Sequence, residues 1–141
     1  MHNLPLLAKG PFRCTALIHP ADALRHGLAD GAMARITANN SAGQHSIKAR
    51  VQISKAMMPG VVSLPLGWGH DQAGARLQLA AERPGANLNL LLDDQLRDPL
   101  SGNAVLSGVE IELEALEADE AGLEGTMVLD LISPIRLLFN I

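Results

Sequence analysis

The clearest pattern in the chain is a strict alternation. Ile47, Ala49, Val51 and Ile53 are interleaved with Ser46, Lys48, Arg50 and Gln52. A period of two sends the two sets to opposite faces of an extended segment, so residues 44–53 read as a strand with one wet face. Met33 to Ala38 is a second strand. The polar run Asn39-Asn40-Ser41-Ala42-Gly43 between them is a loop that can turn the chain back, which makes the pair a hairpin. Cys14 to Ile18 and residues 61–65 are short apolar, β-branched runs of the kind that form buried strands. Val109 to Leu116 alternates again, with Ile111, Leu113 and Ala115 on one face and Glu110, Glu112 and Glu114 on the other. It reads as the last strand, and its glutamates as a solvated face or an acidic docking surface.

Between these runs the punctuation is local. His19-Pro20-Ala21-Asp22 stops the first strand, and Pro20 suits the first position of a helix, where its missing N–H has no partner to lose. Ala21 to His26 then make about two turns. Gly27 ends them as a left-handed cap, and Leu28 folds back to the core. Asp30-Gly31 is a tight turn needing positive φ. Residues 66–104 lose the regular pattern and hold Gly67, Gly69, Gly74, Pro84, Gly85, Pro99 and Gly102. Loops this long are functional or disordered. Within the excursion, Asp98 to Gly102 is a turn. Residues 1–116 are read as one barrel and residues 117–141 as an acidic linker and apolar tail. That tail packs on the barrel, binds a partner, or is an irregular chain end. Several short strands, tight turns and no βαβ rhythm give a mainly β fold, a barrel with a few short helices.

Composition narrows the function more than the fold. The 141 residues suit one domain, and with aromatics at only 2% the core must be aliphatic. A net charge of -4 argues against a nucleic-acid binder. The single cysteine, Cys14, excludes an internal disulfide, a Cys-rich zinc site or an iron–sulfur cluster held by this chain alone. Its apolar surroundings suit a buried thiol better than a nucleophile. The start shows no secretory signal and no stretch reaches a membrane span, so a cytoplasmic location is expected.

Candidate chemistry concentrates at Met58 to His70, where Gly67 and Gly69 flank the single tryptophan, Trp68. Glycines there let backbone approach a ligand closely; alternatively Trp68 fills a core gap at a strand end. His2, His19, His26, His45 and His70 lack metal-ligand spacing, so no metal ligand is assigned. His19 and His26 suit capping and surface roles. His70 is a surface group or a ligand contact. No serine sits in a nucleophile elbow, and the adjacent Asp93 and Asp94 point apart rather than forming an acid/base pair. No catalytic residue is assigned. What remains is uncharged: Asn, Ser, glycine backbone and Trp at 39–43, 67–70 and 85–103, groups that suit phosphates and polar heterocycles.

The order of these signals resembles a known family. Ile18-His19-Pro20-Ala21-Asp22-Ala23 is followed by Gly27-Leu28-Ala29-Asp30-Gly31, then by Met58 to Pro65 and Gly67-Trp68-Gly69-His70. Gly85-Ala86-Asn87-Leu88-Asn89 and Asp98-Pro99-Leu100-Ser101-Gly102-Asn103 complete the series. Together they resemble the molybdopterin-dinucleotide-binding domain that closes the chain of the dimethyl-sulfoxide-reductase family of molybdenum and tungsten oxidoreductases. The resemblance covers roughly residues 1–116. It implies a double-psi β-barrel holding molybdopterin guanine dinucleotide, with the chemistry carried by the metal of the cofactor. It places His2, Asn3, Asn39, Asn40, Ser41, Gly43, Trp68, His70 and Asn89 near that cofactor. It also implies partners, the catalytic domains or subunit of such an oxidoreductase, with this chain a separate small subunit or an excised domain. The chain departs from the family's pattern at Leu66, Leu90 and Leu92, where polar groups usually stand, and in the loop after Thr37, where the family usually carries an Arg and a Gly and this chain has Asn39-Asn40-Ser41-Ala42-Gly43.

Two other readings compete. One is a ligandless barrel serving as an interaction or structural module, self-associating through residues 126–141. The other is a hydrolase using His70 with Asp71, for which nothing orients the pair or supplies an oxyanion site.

Overall fold

The computed structural model describes residues 3–6, 9–71, 73–74, 76–116 and 135–140. The elements in chain order are β1 (Thr15–Ile18), α1 (Pro20–Arg25), β2 (Met33–Asn40), β3 (Gly43–Ile53), β4 (Val61–Pro65), α2 (Gln78–Ala81), a 3-10 helix (Leu88–Leu91), β5 (Val109–Ala115) and β6 (Ile135–Asn140). The strands close into a mainly β barrel in the order β1-β3-β2-β5-β6-β4. β1 runs parallel to β3 and β4 parallel to β6, while β1–β4, β2–β3, β2–β5 and β5–β6 are antiparallel.

That pairing scheme maps onto itself when β1, β2 and β3 are exchanged for β4, β5 and β6. Each half has a parallel pair and a hairpin-like pair, and the halves meet at β1–β4 and β2–β5. The arrangement is compatible with a double-psi barrel. The repeat is topological and leaves no mark in the residue order.

The alternating strands bury the expected faces except at the end of β5, where Ala115 is exposed and Glu114 is half-buried beside Arg35. Ile47, Ala49 and Val51 on β3, and Ile111 and Leu113 on β5, point into one aliphatic core with Ile18, Ile36, Leu64 and Leu137. Each full burial of such a side chain contributes roughly 1.5–3 kcal/mol. Lys48, Arg50, Glu110 and Glu112 stay outside.

Two expectations change. Asn39 and Asn40 belong to β2, paired with Gln44 and Gly43, so only Ser41 and Ala42 form the turn. Neither Ser41 nor Ala42 has positive φ; the positive φ falls on the next residue, Gly43, at 123°. Val109–Ala115 is also not the final strand. Ile135–Asn140 follows it and lies between β4 and β5. The proposed linker at 117–122 and residues 126–134 of the tail lie outside the described residues.

α1 forms as its punctuation dictates. The His19 imidazole Nδ1 accepts the Ala21 N–H at 3.1 Å, and Pro20 occupies the first turn. At the other end the Gly27 N–H donates to Leu24 O and the Leu28 N–H to Ala23 O, a Schellman cap closed by Gly27 at φ 63°. Asp22 is fully buried, and its carboxylate accepts the Gly60 N–H at 2.6 Å and a longer contact from Arg25. The helix therefore holds the Pro59–Gly60 turn that feeds β4. His26 Nδ1–H donates to Leu113 O at 3.2 Å, since a carbonyl can only accept, and ties the helix end to β5.

Candidate functional site

The excursion after β4 is a chain of close approaches. Gly67 and Gly69 adopt φ of 84° and 95°. The Gly69 N–H donates to Pro84 O at 2.7 Å, and the His70 N–H reaches the same oxygen at 3.3 Å. A Cβ on Gly69 would lie 2.5 Å from Asn87 Cβ. Trp68 is half-buried against the core, its ring centroid 5.4 Å from Phe12 and 6.1 Å from His70. The close approach at Gly69 is thus by the chain itself, and Trp68 packs on the rim of the core.

From Asn87 the path continues. The Asn87 Oδ1 accepts the Asn89 N–H at 3.2 Å and caps the 3-10 helix. Three residues per turn put Leu88 and Leu91 on one side, and both are buried. Asn89 and Leu90 are left facing solvent. The helix packs on β2 and β3, where the hairpin tip meets the segment that follows it. Asn40 Nδ2 donates to Leu92 O at 2.9 Å, with a longer contact to Leu90 O, while its Oδ1 accepts the Ala42 N–H. The Ser41 hydroxyl donates to Asp93 Oδ1 at 2.6 Å and the Ser41 N–H to Asp93 Oδ2 at 3.0 Å. The Gln95 N–H also donates to Asp93 Oδ1, at 2.9 Å. The Ser41 hydroxyl, and then the Gln95 N–H, hold the Asp93 carboxyl below its ordinary pKa.

The residues singled out in the sequence fall into three groups. Asn39, Asn40, Ser41 and Gly43 share the hairpin tip, which is tied through residues 90–93 to Asn89. Trp68 and His70 join the same line through Gly69 and Asn87. Asn3 goes elsewhere: its Oδ1 accepts the Leu79 and Ala80 N–H groups at 3.0 and 3.2 Å and caps α2 from outside. His2 lies outside the described residues. The sequence places Gly85 and Asn87 in the candidate stretch 85–103 without a particular role, and gives no role to Asp93. The signals were present as Asn87-x-Asn89 and Asp93-x-Gln95, where an Asx side chain accepts the N–H two residues on.

A separate groove of about 710 Å³ has Phe12, Cys14 and Gly85 on its walls and Lys48, Arg50 and Arg83 around them. Of the cofactor contacts expected from the sequence none lines it, but Gly85, which lies against Trp68, does. Burial pushes the Cys14 thiol up in pKa, against the opposing effect of the Ala86 N–H that donates to its sulfur. A raised thiol suits an inert role. Among the described residues no group of three or more His, Cys, Asp or Glu could hold a metal. No helix among them is long and apolar enough to cross a membrane.

The closed barrel carries uncharged polar groups on one hairpin tip and on the long excursion. The family model of the Molydopterin dinucleotide binding domain matches residues 1–109, and the chain belongs to that family. The match ends at the first residue of β5, so the rest of β5 and all of β6 lie beyond it. No curated protein matches the chain.

Proposed function

We propose that the chain binds the guanine dinucleotide form of molybdopterin and holds it for the catalytic domains or subunit of a molybdenum or tungsten oxidoreductase, without catalysing alone. The observation that carries this reading is the family match, supported by the path of contacts described above. The motif residues Trp68, His70 and Asn89 and the tip residues Asn39 and Gly43 are linked in one line across 50 residues of sequence. The donor set fits such a group. Exposed Asn39 and Asn89 offer amide donors and acceptors to a polar heterocycle, and the open backbone at Gly43 and Gly67 can approach phosphates without a basic patch. When bound, the cofactor supplies the redox chemistry through its metal. The chain contributes grip and orientation.

Within this reading Asn39, Gly43, Trp68, His70 and Asn89 make the contacts, and His2 joins them by its place in the family's motif. Asn3, Asn40 and Ser41 act indirectly, because their side-chain oxygens or amides are already engaged within the chain. The test is calorimetric titration of the 141-residue chain with GDP and with extracted molybdopterin dinucleotide. Saturable binding weakened by Asn89→Ala and by Trp68→Ala supports it.

A second reading, a barrel without ligand that serves as an interaction module, is favoured by one observation. Leu90 stands exposed beside Asn89, where a polar donor is expected. A flat titration with folded protein favours this reading. Self-association through the tail has less to draw on, because Ile135 and Leu137 are buried inside the barrel.

A further inference from the structure

We infer that Asp93 is a positioning residue that latches the β2–β3 hairpin tip to the segment carrying Asn89, with Asn40 and Ser41 as its counterparts rather than as cofactor contacts. The binding consequence of this inference rests on the cofactor-binding reading; the latch itself does not.

The geometry is specific. One carboxylate takes the Ser41 hydroxyl on one oxygen and the Ser41 N–H on the other, across 52 residues of sequence. At 2.6 Å the hydroxyl bond has the short length of a charge-assisted bond. The last residue of β2 supplies a second tie, Asn40 Nδ2 to Leu92 O at 2.9 Å, one residue from Ser41. The same carboxylate fixes its own loop by accepting the Gln95 N–H. Asp94 takes no part; its contact is the Gln95 side chain next to it. Asp93 is half-buried where Asp94 is exposed. Leu92, which accepts from Asn40 through its carbonyl, also donates its N–H to Asn89 O. The path from Ser41 to Asn89 is therefore continuous: Ser41, Asp93 and Asn40 on one side, Leu92 and the 3-10 helix on the other. Buried Leu88 and Leu91 anchor that helix to the barrel, and the latch adds a polar tie at its end.

This also accounts for the departure at Leu92. Asn40 binds its backbone carbonyl, so the side chain there is free to be apolar without loss of the tie. Ser41 has both its hydroxyl and its N–H committed to Asp93.

The experiment is amide hydrogen exchange, read by NMR on the full chain, with GDP titration beside it. The variants are Asp93→Ala, Asp93→Asn, Ser41→Ala, Ser41→Thr and Asp94→Ala. In Asp93→Ala and Ser41→Ala we expect Ser41 and Leu92 amides to exchange about tenfold faster, the order expected for losing a bond to a charged group. GDP affinity should fall by about the same factor. Asp93→Asn, which keeps the shape but not both charged acceptors, should fall between. Ser41→Thr restores the hydroxyl and should restore both readouts, and Asp94→Ala should change neither. The thermal midpoint should fall slightly in Asp93→Ala, which loses carboxylate bonds that add to stability, and should not move in Asp94→Ala. Unchanged exchange at Leu92 in Asp93→Ala, or failure of Ser41→Thr to rescue Ser41→Ala, overturns the latch. If the parent chain does not take up GDP, the cofactor-binding reading fails, and the exchange data alone still decide the latch.

Discussion

A Cβ built on Gly85 would sit 2.7 Å from Trp68 Cε3 and 2.9 Å from Cys14 Sγ. Gly85 also holds φ at 65°, which a side chain rarely adopts. Gly85→Ala should therefore combine steric conflict with backbone strain and destabilise by about 2–4 kcal/mol. Gly67→Ala makes the comparison, since Gly67 has φ 84° but open space around it. It should carry the strain alone, about 1–2 kcal/mol. Urea denaturation gives the two values. Trp68 is the single tryptophan, so its fluorescence reports whether the ring has moved. A shift is expected for Gly85→Ala and not for Gly67→Ala.

Asp22 and Gly60 set a second expectation. The Asp22 carboxylate is wholly buried and accepts the Gly60 N–H at 2.6 Å. Asp22→Ala leaves that N–H without its partner and should lose about 1–3 kcal/mol. Asp22→Asn keeps one oxygen acceptor and should lose less. The check is the urea midpoint with an unchanged m-value, which separates lost stability from a changed unfolded state.

The first half of the barrel was legible because its rules are local. Alternation set the buried face of β3, Pro20 and Gly27 bounded α1, and Asp30-Gly31 made the turn. The excursion was legible only as irregular. Its α2 and 3-10 helices have four residues each, too short for a helical period to register. Asp93 has Asp94 as its only carboxylate neighbour in sequence, while its real partner, Ser41, lies 52 residues away. Long-range pairing of that kind has no local signature. Asn39 and Asn40 read as loop because their type favours turns, yet the hairpin register carries the pairing up to Asn40.

Acid sensitivity follows from two carboxylates. Asp93 is lowered in pKa foremost by the Ser41 hydroxyl, and Asp98 foremost by the Ser101 N–H. A carboxyl with a lower pKa folded than unfolded stabilises above the unfolded value, and that contribution disappears as pH falls through the folded value. Both contributions should thus be complete at neutral pH and fade below the ordinary carboxylate value of 3.8. Replacing Asp98 by Asn removes its share. Stability measured from pH 7 to pH 2 should fall less steeply at the acid end in Asp98→Asn than in the parent. Identical acid slopes would show that these bonds do not hold in solution.

β6 completes the second half of the barrel as β3 completes the first. Val51 on β3 is paired with Ala16 of β1, and Leu137 on β6 with Val62 of β4; all four are buried. The tail missed this role in the sequence because Leu138 and Phe139 blur the alternation that Ile135, Arg136 and Leu137 begin. Leu137 is 0% exposed and Leu138 is 38% exposed. Leu137→Ala should therefore lose about 2–5 kcal/mol, the range for a cavity in a closed core. Leu138→Ala should stay within about 1 kcal/mol. Removing residues 135–141 goes further, because it leaves β4 and β5 with open edges on a strand whose residues Val61 to Leu64 are all buried. Such edges pair with other chains. The shortened protein should aggregate or fail to unfold cooperatively, and light scattering with thermal denaturation checks both. A shortened chain that stays monomeric and as stable as the parent would mean that β6 is an accessory to the barrel and that the matched residues 1–109 with β5 suffice to hold it.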